Sequence, residues 1–250
     1  MILTVLRPAL IAALLTSAAP AFAFDPAAMS DAEREAFRAE VRAYLMEHPE
    51  VIFEAVDAMK AREAAAAEES DRAMITAFHT EIFEDGYSWV GGNPEGDVTL
   101  VEFMDYRCGY CRKAVPEVAS LLKSDGNIRL IIKEFPILGE ASMISSRFAI
   151  ATRLVAGGDA YSQVHDALLE LDGELSEVSL RRLADGLGLD AEPILAKMNS
   201  DEVTREIAAN RDLAQRLQIN GTPTFVLEGQ MLRGYLPAAQ LAQLVAAERG

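Results

Sequence analysis

Cysteine, histidine and tryptophan are scarce in this sequence of 250 residues, which has two cysteines, three histidines and one tryptophan. A structural zinc site normally takes four cysteine or histidine ligands. Besides the two cysteines, the candidates are His48, His79 and His165, and none of them stands at the spacing of a zinc finger. The composition therefore disfavours a zinc-binding domain.

Positive charge is also scarce, because 23 lysines and arginines face 39 aspartates and glutamates. The formal net charge is −16. A surface of this sign repels nucleic acid and anionic lipid headgroups, so we expect no nucleic-acid partner. Half of the residues are hydrophobic, which predicts a folded chain rather than disorder throughout.

Long apolar runs are absent beyond the first 23 residues, and no later segment approaches the roughly 20 apolar residues of a membrane span. Residues 1–23 carry one positive charge, at Arg7, and end in Ala21-Phe22-Ala23, a small-x-small cleavage pattern. They predict a secretory signal peptide cut before Phe24, with an uncleaved anchor as the alternative. Export to a bacterial periplasm, an oxidising compartment, would make paired cysteines chemically meaningful.

The two cysteines, Cys108 and Cys111, are separated by two residues. The apolar, β-branched run Val98 to Phe103 precedes them, and residues 112–122 carry apolar side chains at a helical period. The pair thus lies where a strand turns into a helix. The pattern predicts Cys108 at the helix start and Cys111 in the first turn.

A helix N-terminus favours an anion because its first N–H groups are unpaired and the helix dipole is positive there. Cys108 is therefore the candidate nucleophile, and Cys111 is close enough to form a redox-active disulfide with it. Two alternatives use the same residues. A structural disulfide would close a very small loop and stabilise little, and a copper(I) site would use both thiolates.

The segment VEFMDYRCGYC, the later GTPTF at Gly221 to Phe225 and the apolar helical stretch between them resemble the DsbA-like branch of the thioredoxin superfamily. The resemblance covers roughly Trp89 to Gly250. It implies an α/β, thioredoxin-like fold with an inserted helical domain at about residues 138–217. His165 falls in that insertion among apolar residues, which favours a place at the edge of the core over a role in catalysis.

Residues outside the cysteine pair also have roles that the resemblance implies. Pro223 would follow a cis peptide bond and face the cysteines, and Thr222 would offer backbone groups to an extended substrate segment. The alternative is an ordinary turn proline. Gly109 and Tyr110 would contact substrate, and this pair resembles the one in the dimeric periplasmic isomerase. No cofactor and no metal is expected beyond the cysteine pair.

Glu102 is an acidic residue inside a strand of apolar residues, six positions before Cys108. In the DsbA-like family a glutamate at this offset lies under the active site and relays a proton for the second cysteine. The resemblance thus implies that Glu102 serves Cys111. The alternative is a strand whose other face is solvated.

The N-terminal part is helical by pattern, from a capping box at Ser30 and Glu33 to about residue 82. Its segment YLMEHPEVIFEAV resembles the extension of suppressor-of-copper-sensitivity C (ScsC) proteins. The apolar stripes are narrow, so we expect residues 24–86 to form an all-helical segment that makes a homo-oligomer, a dimer or trimer, through residues of about 30–82. The alternative is packing against its own catalytic domain, residues 87–250.

Together these observations predict a periplasmic thiol–disulfide oxidoreductase, an isomerase or reductase that acts on exported proteins with thiols or disulfides. The resemblance implies recycling by a membrane redox partner of the DsbD or DsbB type. One alternative is a copper(I)-binding copper-tolerance protein that uses the same thiolates. The other is a monomeric dithiol oxidase of the DsbA type.

Overall fold

The structure is a computed structural model that describes residues 28–250. The predicted signal peptide, residues 1–23, lies outside the described residues. The chain divides into two compact units, one that ends at Lys60 and one that runs from Ala61 to Gly250. Across residues 28–250, no helix is both long enough and apolar enough to span a membrane.

The secondary structure of the described residues alternates helices and strands around one sheet. The strands are β1 (Trp89–Gly92), β2 (Val98–Met104), β3 (Ile128–Glu134), β4 (Thr224–Leu227) and β5 (Gln230–Arg233). The helices are α1 (Asp31–Glu47), α2 (Glu50–Ala77), α3 (His79–Phe83), α4 (Gly109–Asp125), α5 (Glu140–Ala156), α6 (Gly158–Glu170), α7 (Glu177–Gly186), α8 (Ala191–Lys197), α9 (Asp201–Arg216) and α10 (Ala238–Arg249).

Helix α1 begins with the predicted capping box. The Ser30 hydroxyl accepts from the Glu33 N–H, and the Glu33 carboxylate accepts from the Ser30 N–H at 2.8 Å. The helix ends at Glu47, just before Pro49, and none of its residues is buried. The exposed apolar face of α1 and the start of α2 consists of Phe37, Val41, Tyr44, Met46, Ile52, Phe53, Val56 and Met59.

The sheet of the second unit has the strand order β1-β3-β2-β4-β5. Strands β2 and β3 are parallel, and the other neighbours are antiparallel. A parallel pair needs a crossover connection, which α4 supplies here. The α/β class predicted from the sequence is confirmed.

Strand β2 divides the hydrophobic core because successive side chains of a strand point to opposite faces. Leu100 and Met104 face the core that contains α4, whereas Val101 and Phe103 face a second core. Glu102 lies between Val101 and Phe103 in the strand, so its side chain points to the opposite face, the one that α4 covers. It is only 7% exposed.

The second core includes residues that the sequence analysis assigned to the self-associating segment. Ile75 of α2 and Ile82 and Phe83 of α3 are buried, together with Val101 and Phe103. Apolar side chains that are already covered by their own sheet cannot form a seam with another copy. Within residues 30–82, the exposed large apolar side chains lie before Ala61.

Two ion pairs attach this region to the sheet. Asp71 of α2 accepts from both guanidinium nitrogens of Arg233 on β5, at 2.6 and 2.8 Å. Lys133 of β3, which is fully buried, donates to the Asp85 carboxylate at 2.5 Å and to the Glu81 carbonyl at 2.7 Å. Because a buried charge needs a partner, residues 81–85 are integral to the fold of the second unit.

A helical insertion, α5 to α9, lies between β3 and β4 and occupies residues 140–216, close to the range predicted from the sequence. The chain then returns to the sheet through Thr222-Pro223 and forms the β4–β5 hairpin. Its two-residue turn is Glu228-Gly229, with Glu228 at a φ of +47°. Helix α10 follows, with Pro237 at its N-cap.

Candidate active site

The turn between β2 and α4 is held by one buried carboxylate. Asp105 accepts from the Arg107 N–H through Oδ1 at 2.8 Å, and from the Ile137 and Leu138 N–H groups through Oδ2 at 2.8 and 3.0 Å. Its carbonyl oxygen accepts from the Cys108 N–H at 3.1 Å. Asp105 thus fixes both the turn before Cys108 and the loop after β3, a role that the sequence analysis missed.

Cys108 is the N-cap residue of α4, and Arg112 N–H closes the first helical hydrogen bond to its carbonyl at 3.1 Å. The Cys108 thiol donates to the Thr222 carbonyl oxygen at 3.1 Å. The Thr222-Pro223 peptide bond is cis, as the resemblance implied. The loop before β4 therefore faces the cysteine pair although it lies 114 residues later.

Cys111 lies in the first turn of α4, and both cysteines are free thiols. Only 1% of Cys111 is exposed, compared with 7% of Cys108. Burial raises the pKa of the Cys111 thiol well above its ordinary value, and the charges of Glu102 and Cys108 raise it further. At neutral pH Cys111 is therefore a protonated thiol beneath the more accessible Cys108.

Glu102 is brought close enough to Cys111 for its charge to affect the pKa of that thiol. Burial raises the pKa of Glu102 itself to about 8. Its side chain lines a cleft of about 760 Å³ together with Val115 and Val118 of α4 and with His165 of α6. Glu102 is therefore protonated for the most part at neutral pH, with a cleft on one side and the cysteine on the other.

A buried network connects the active-site turn to the helical insertion. The hydroxyls of Tyr106 and Tyr161 both donate to Oε1 of Glu134, at 2.7 and 2.6 Å. The Tyr106 hydroxyl also lies 3.1 Å from Nδ1 of His165. Burial raises the pKa of Glu134 to about 7 and lowers that of His165 to about 4, so the imidazole is neutral at neutral pH.

The sequence analysis did not find this network. One signal was available, because Glu134 ends an otherwise apolar strand, IRLIIKE, just as Glu102 interrupts its own. His165 lies between the core and the cleft, which agrees with its expected position at the edge of the core.

Two arginines beside the cysteines contact the loop after α6. Arg112 donates to the Asp172 carboxylate at 2.9 Å and to the Leu171 carbonyl at 3.0 Å. Arg107 donates to the same Leu171 carbonyl at 3.4 Å. The start of α4 and the insertion are thus joined on the surface as well as in the core.

The two residues between the cysteines face solvent. Gly109 is exposed, and the Tyr110 side chain is 60% exposed. The Lys113 ammonium lies 5.3 Å from the centroid of the Tyr110 ring, in range of a cation–π interaction. Within residues 28–250, no group of three or more histidine, cysteine, aspartate or glutamate side chains is arranged to hold a metal ion.

A thiol at a helix N-cap, a second thiol one turn further on and a facing backbone carbonyl define the class of thioredoxin-fold thiol–disulfide oxidoreductases. Residues 99–246 match the DSBA-like thioredoxin domain. The chain belongs to this family. In addition, residues 33–66 match the copper resistance protein ScsC N-terminal domain.

Solved structures agree with this assignment. A thioredoxin-like oxidoreductase from Silicibacter pomeroyi DSS-3 is 43% identical, with a TM-score of 0.64 over 68% of this chain and 96% of that one. BcfH from Salmonella enterica Typhimurium is 26% identical, with a TM-score of 0.72 over 88% of this chain and 97% of that one.

A curated relative is much longer than this chain. The Na(+)/H(+) antiporter NhaA 3 of Salinispora tropica is 32% identical over 145 residues, which are 58% of this chain and 22% of the antiporter. The chain therefore spans about a fifth of that relative's length. The similarity is therefore confined to 22% of the antiporter sequence.

Proposed function

We propose that this protein isomerises and reduces disulfides of exported proteins in the periplasm. The Cys108 thiolate attacks a substrate disulfide, the substrate S–S bond breaks, and a mixed disulfide forms while the leaving sulfur takes up a proton. In isomerisation a second substrate thiolate releases Cys108 unchanged. In reduction Cys111 attacks the mixed disulfide, and the pair becomes oxidised as the substrate gains two thiols.

Substrate is held beside Cys108 by the backbone at Thr222 in this proposal. The hydrogen bond from the Cys108 thiol to the Thr222 carbonyl supports it, because a substrate sulfur bound to Cys108 would lie next to that edge. An extended segment can then pair with the backbone as an added strand. Gly109 and Tyr110 are exposed on the other side of the cysteine and supply the opposing surface.

The carboxylate form of Glu102, the smaller fraction at neutral pH, is the proton acceptor for Cys111 in this mechanism. Cys111 must lose its proton before it attacks the mixed disulfide, and burial holds its pKa high. A carboxyl group with a pKa of about 8 exchanges protons readily near neutral pH. The cleft beside Glu102 gives that proton a route to solvent.

The exposed apolar face, from Phe37 to Met59, is the observation that carries the isomerase assignment. An apolar surface of this extent on a separate helical unit favours association with further copies of the chain. When several catalytic units are joined through their N-terminal helices, the effective concentration of a second contact with a misfolded substrate rises. A dimer or trimer therefore isomerises better than a monomer.

Export, by the signal peptide of residues 1–23, would place the protein where its substrates acquire disulfides. Reduced Cys108 and Cys111 must be regenerated after each reduction. A membrane redox partner of the DsbD type would supply the electrons, whereas one of the DsbB type would instead keep the pair oxidised and make the protein a dithiol oxidase. The resting state of Cys108 in cells distinguishes the two.

The test compares Phe53→Glu with a matched control, Val155→Glu, in the full mature chain. Phe53 is 70% exposed on the apolar face, and Val155 is 41% exposed at the end of α5. Light scattering at micromolar concentration should show an oligomer for the parent and the control and a smaller species for Phe53→Glu. Activity on a scrambled disulfide substrate should fall in Phe53→Glu, while simple reduction of a disulfide should not. A monomeric parent, or a monomeric variant that isomerises as well as the parent, would contradict the proposal.

Copper(I) binding is a second candidate, favoured by two free thiols within one helical turn. Titration of the reduced protein with copper(I) against a chelator of known affinity tests it, with Cys111→Ser as the control. Binding too weak to compete with the chelator rules this function out.

A further inference from the structure

The surface around Cys108 differs in charge from the rest of the chain. Arg107 directly precedes the cysteine, and Lys113 follows it within the second turn of α4. Among residues 28–250, neither of these two cations has a carboxylate partner, whereas Arg112 between them is paired with Asp172. The net charge of the chain is −16, so two such cations beside the candidate nucleophile are a local exception.

Two apolar side chains complete this surface. Leu138 is 53% exposed and Tyr110 is 60% exposed. Leu138 lies beside Arg107, because their backbone N–H groups bind the two oxygens of the same Asp105 carboxylate. Tyr110 lies beside Lys113 through the ring contact already described. We call Arg107, Tyr110, Lys113 and Leu138 the cationic lip.

We propose that the cationic lip selects polypeptide segments that carry carboxylate side chains next to the reacting cysteine. This inference rests on the proposed function and names the substrate class of the same site. Unpaired cations at the surface attract carboxylates at short range, and at physiological ionic strength charges more than about 8 Å away are largely screened. The contact near Cys108 therefore outweighs the repulsion by the acidic surface elsewhere. Tyr110 and Leu138 would cover the apolar parts of the same segment.

The experiment uses three peptides that differ only beside a single cysteine, with two glutamates, two glutamines or two lysines. Each cysteine is joined in a disulfide to 2-mercaptoethanol, which is uncharged. Reduced protein attacks this disulfide through Cys108, and Cys111 then closes the protein disulfide, so the peptide thiol and mercaptoethanol are both released. The release of peptide thiol is measured in a single turnover at 0.15 M salt. Each rate is divided by the rate with dithiothreitol, which corrects for the intrinsic reactivity of the peptide.

The parent protein should react about three- to tenfold faster with the glutamate peptide than with the lysine peptide after this correction, since each exposed ion pair contributes a few-fold. The double variant Arg107→Gln/Lys113→Gln should lose this ratio. Its matched control is Arg211→Gln/Lys123→Gln, which removes the same charge. Lys123 lies about 15 Å further along α4, and Arg211 is on α9. The control should keep the ratio.

A corrected ratio of one or less in the parent would overturn the inference. So would a ratio that survives in the lip variant or falls equally in the control. These outcomes leave the proposed function in place as long as the peptides react. If dithiothreitol releases the peptide thiol and the reduced protein releases none from any of the three peptides, the proposed function fails as well.

Discussion

Glu102 and Cys111 are a buried carboxyl group and a buried thiol whose charged forms oppose each other. Neither group ionises readily while the other is charged, so both are largely protonated beneath Cys108 at neutral pH. The accessible Cys108 therefore reacts first. The buried Cys111 reacts only after it has transferred its proton.

We expect Cys108 to be alkylated well before Cys111 at pH 6. Cys111 is 1% exposed and its pKa is raised by burial, so little of its reactive thiolate is present at that pH. A short iodoacetamide pulse followed by peptide mass spectrometry measures both sites. The same pulse in denaturant should label them equally. Equal labelling of the two thiols in the folded protein would refute the assignment.

Glu102→Gln should allow Cys111 to react at lower pH. The Glu102 carboxylate raises the pKa of Cys111, and glutamine carries no charge. The measurement uses the Cys108→Ser protein, in which Cys111 is the remaining thiol, and follows its alkylation rate from pH 7 to 10 with and without Glu102→Gln. Superimposable pH profiles would show that the two groups do not interact.

Glu102→Gln should also change how stability depends on pH. Burial raises the pKa of Glu102 from 4.5 to about 8 in the folded state, so the folded protein holds a proton that the unfolded chain releases between these values. The parent should therefore lose about 1.4 kcal/mol of unfolding free energy per pH unit in this window, relative to the variant. Urea unfolding of the reduced proteins at pH 5, 6.5 and 8 measures the difference.

Glu117→Gln is the control for this prediction. The Ala238 N–H and the Tyr235 hydroxyl lower the pKa of Glu117, so its carboxylate stabilises the fold above its ordinary pKa. This stabilisation is complete above the ordinary pKa of 4.5 and is lost only below it, so between pH 5 and 8 the stability difference between Glu117→Gln and the parent should stay constant. Identical trends for Glu102→Gln and Glu117→Gln would contradict the burial of Glu102.

Asp105→Ala should destabilise the protein and slow exchange at Cys108. The change removes the buried acceptor of three backbone N–H groups, each of which contributes about 1 kcal/mol. We expect a loss of about 3 kcal/mol by urea unfolding. Asp172→Ala, which breaks the exposed ion pair with Arg112, should cost no more than about 1 kcal/mol. Equal losses would show that Asp105 does not hold the turn.

A chain that starts at Ala61 should fold, whereas one that starts at Tyr87 should not. The shorter chain lacks Ile82 and Phe83, which fill the second core, and Asp85, which pairs with the buried Lys133. Loss of such core side chains costs about 2–5 kcal/mol each, and a buried charge without its partner costs about 3–5 kcal/mol. Far-UV circular dichroism and urea unfolding compare the two chains. A cooperative transition of equal midpoint in both would contradict the packing described above.

The local signals of the sequence were sufficient for the elements that form the site. The run of β-branched residues before Cys108 and the helical period after it predict the strand, Cys108 at the helix start and Cys111 in the first turn, and all three are confirmed. The capping box at Ser30 is confirmed for the same reason, because its hydrogen bonds join residues only a few positions apart.

The local sequence pattern did not determine where the exposed apolar part of the N-terminal segment ends. Ile75 and Ile82 continue the same apolar period as Val51 and Met59, so the pattern does not separate them. Only the structure shows that Ile75 and Ile82 face the sheet, since burial depends on what else reaches that surface.

The sequence by itself thus determined the strand–cysteine–helix unit and the start of the N-terminal helix, because periodicity and caps act between near neighbours. Its resemblance to the DsbA-like family implied the helical insertion. The tertiary structure alone decided the Tyr106–Glu134–Tyr161 network, the ion pair between Asp71 and Arg233 and the hydrogen bonds of Asp105 with the loop after β3. The Asp71 and Arg233 partners are 162 positions apart, and Asp105 and Leu138 are 33 apart. No local pattern specifies such pairs, which form when the packed sheet and its helices bring distant polar groups together, and buried polar groups need hydrogen-bond partners.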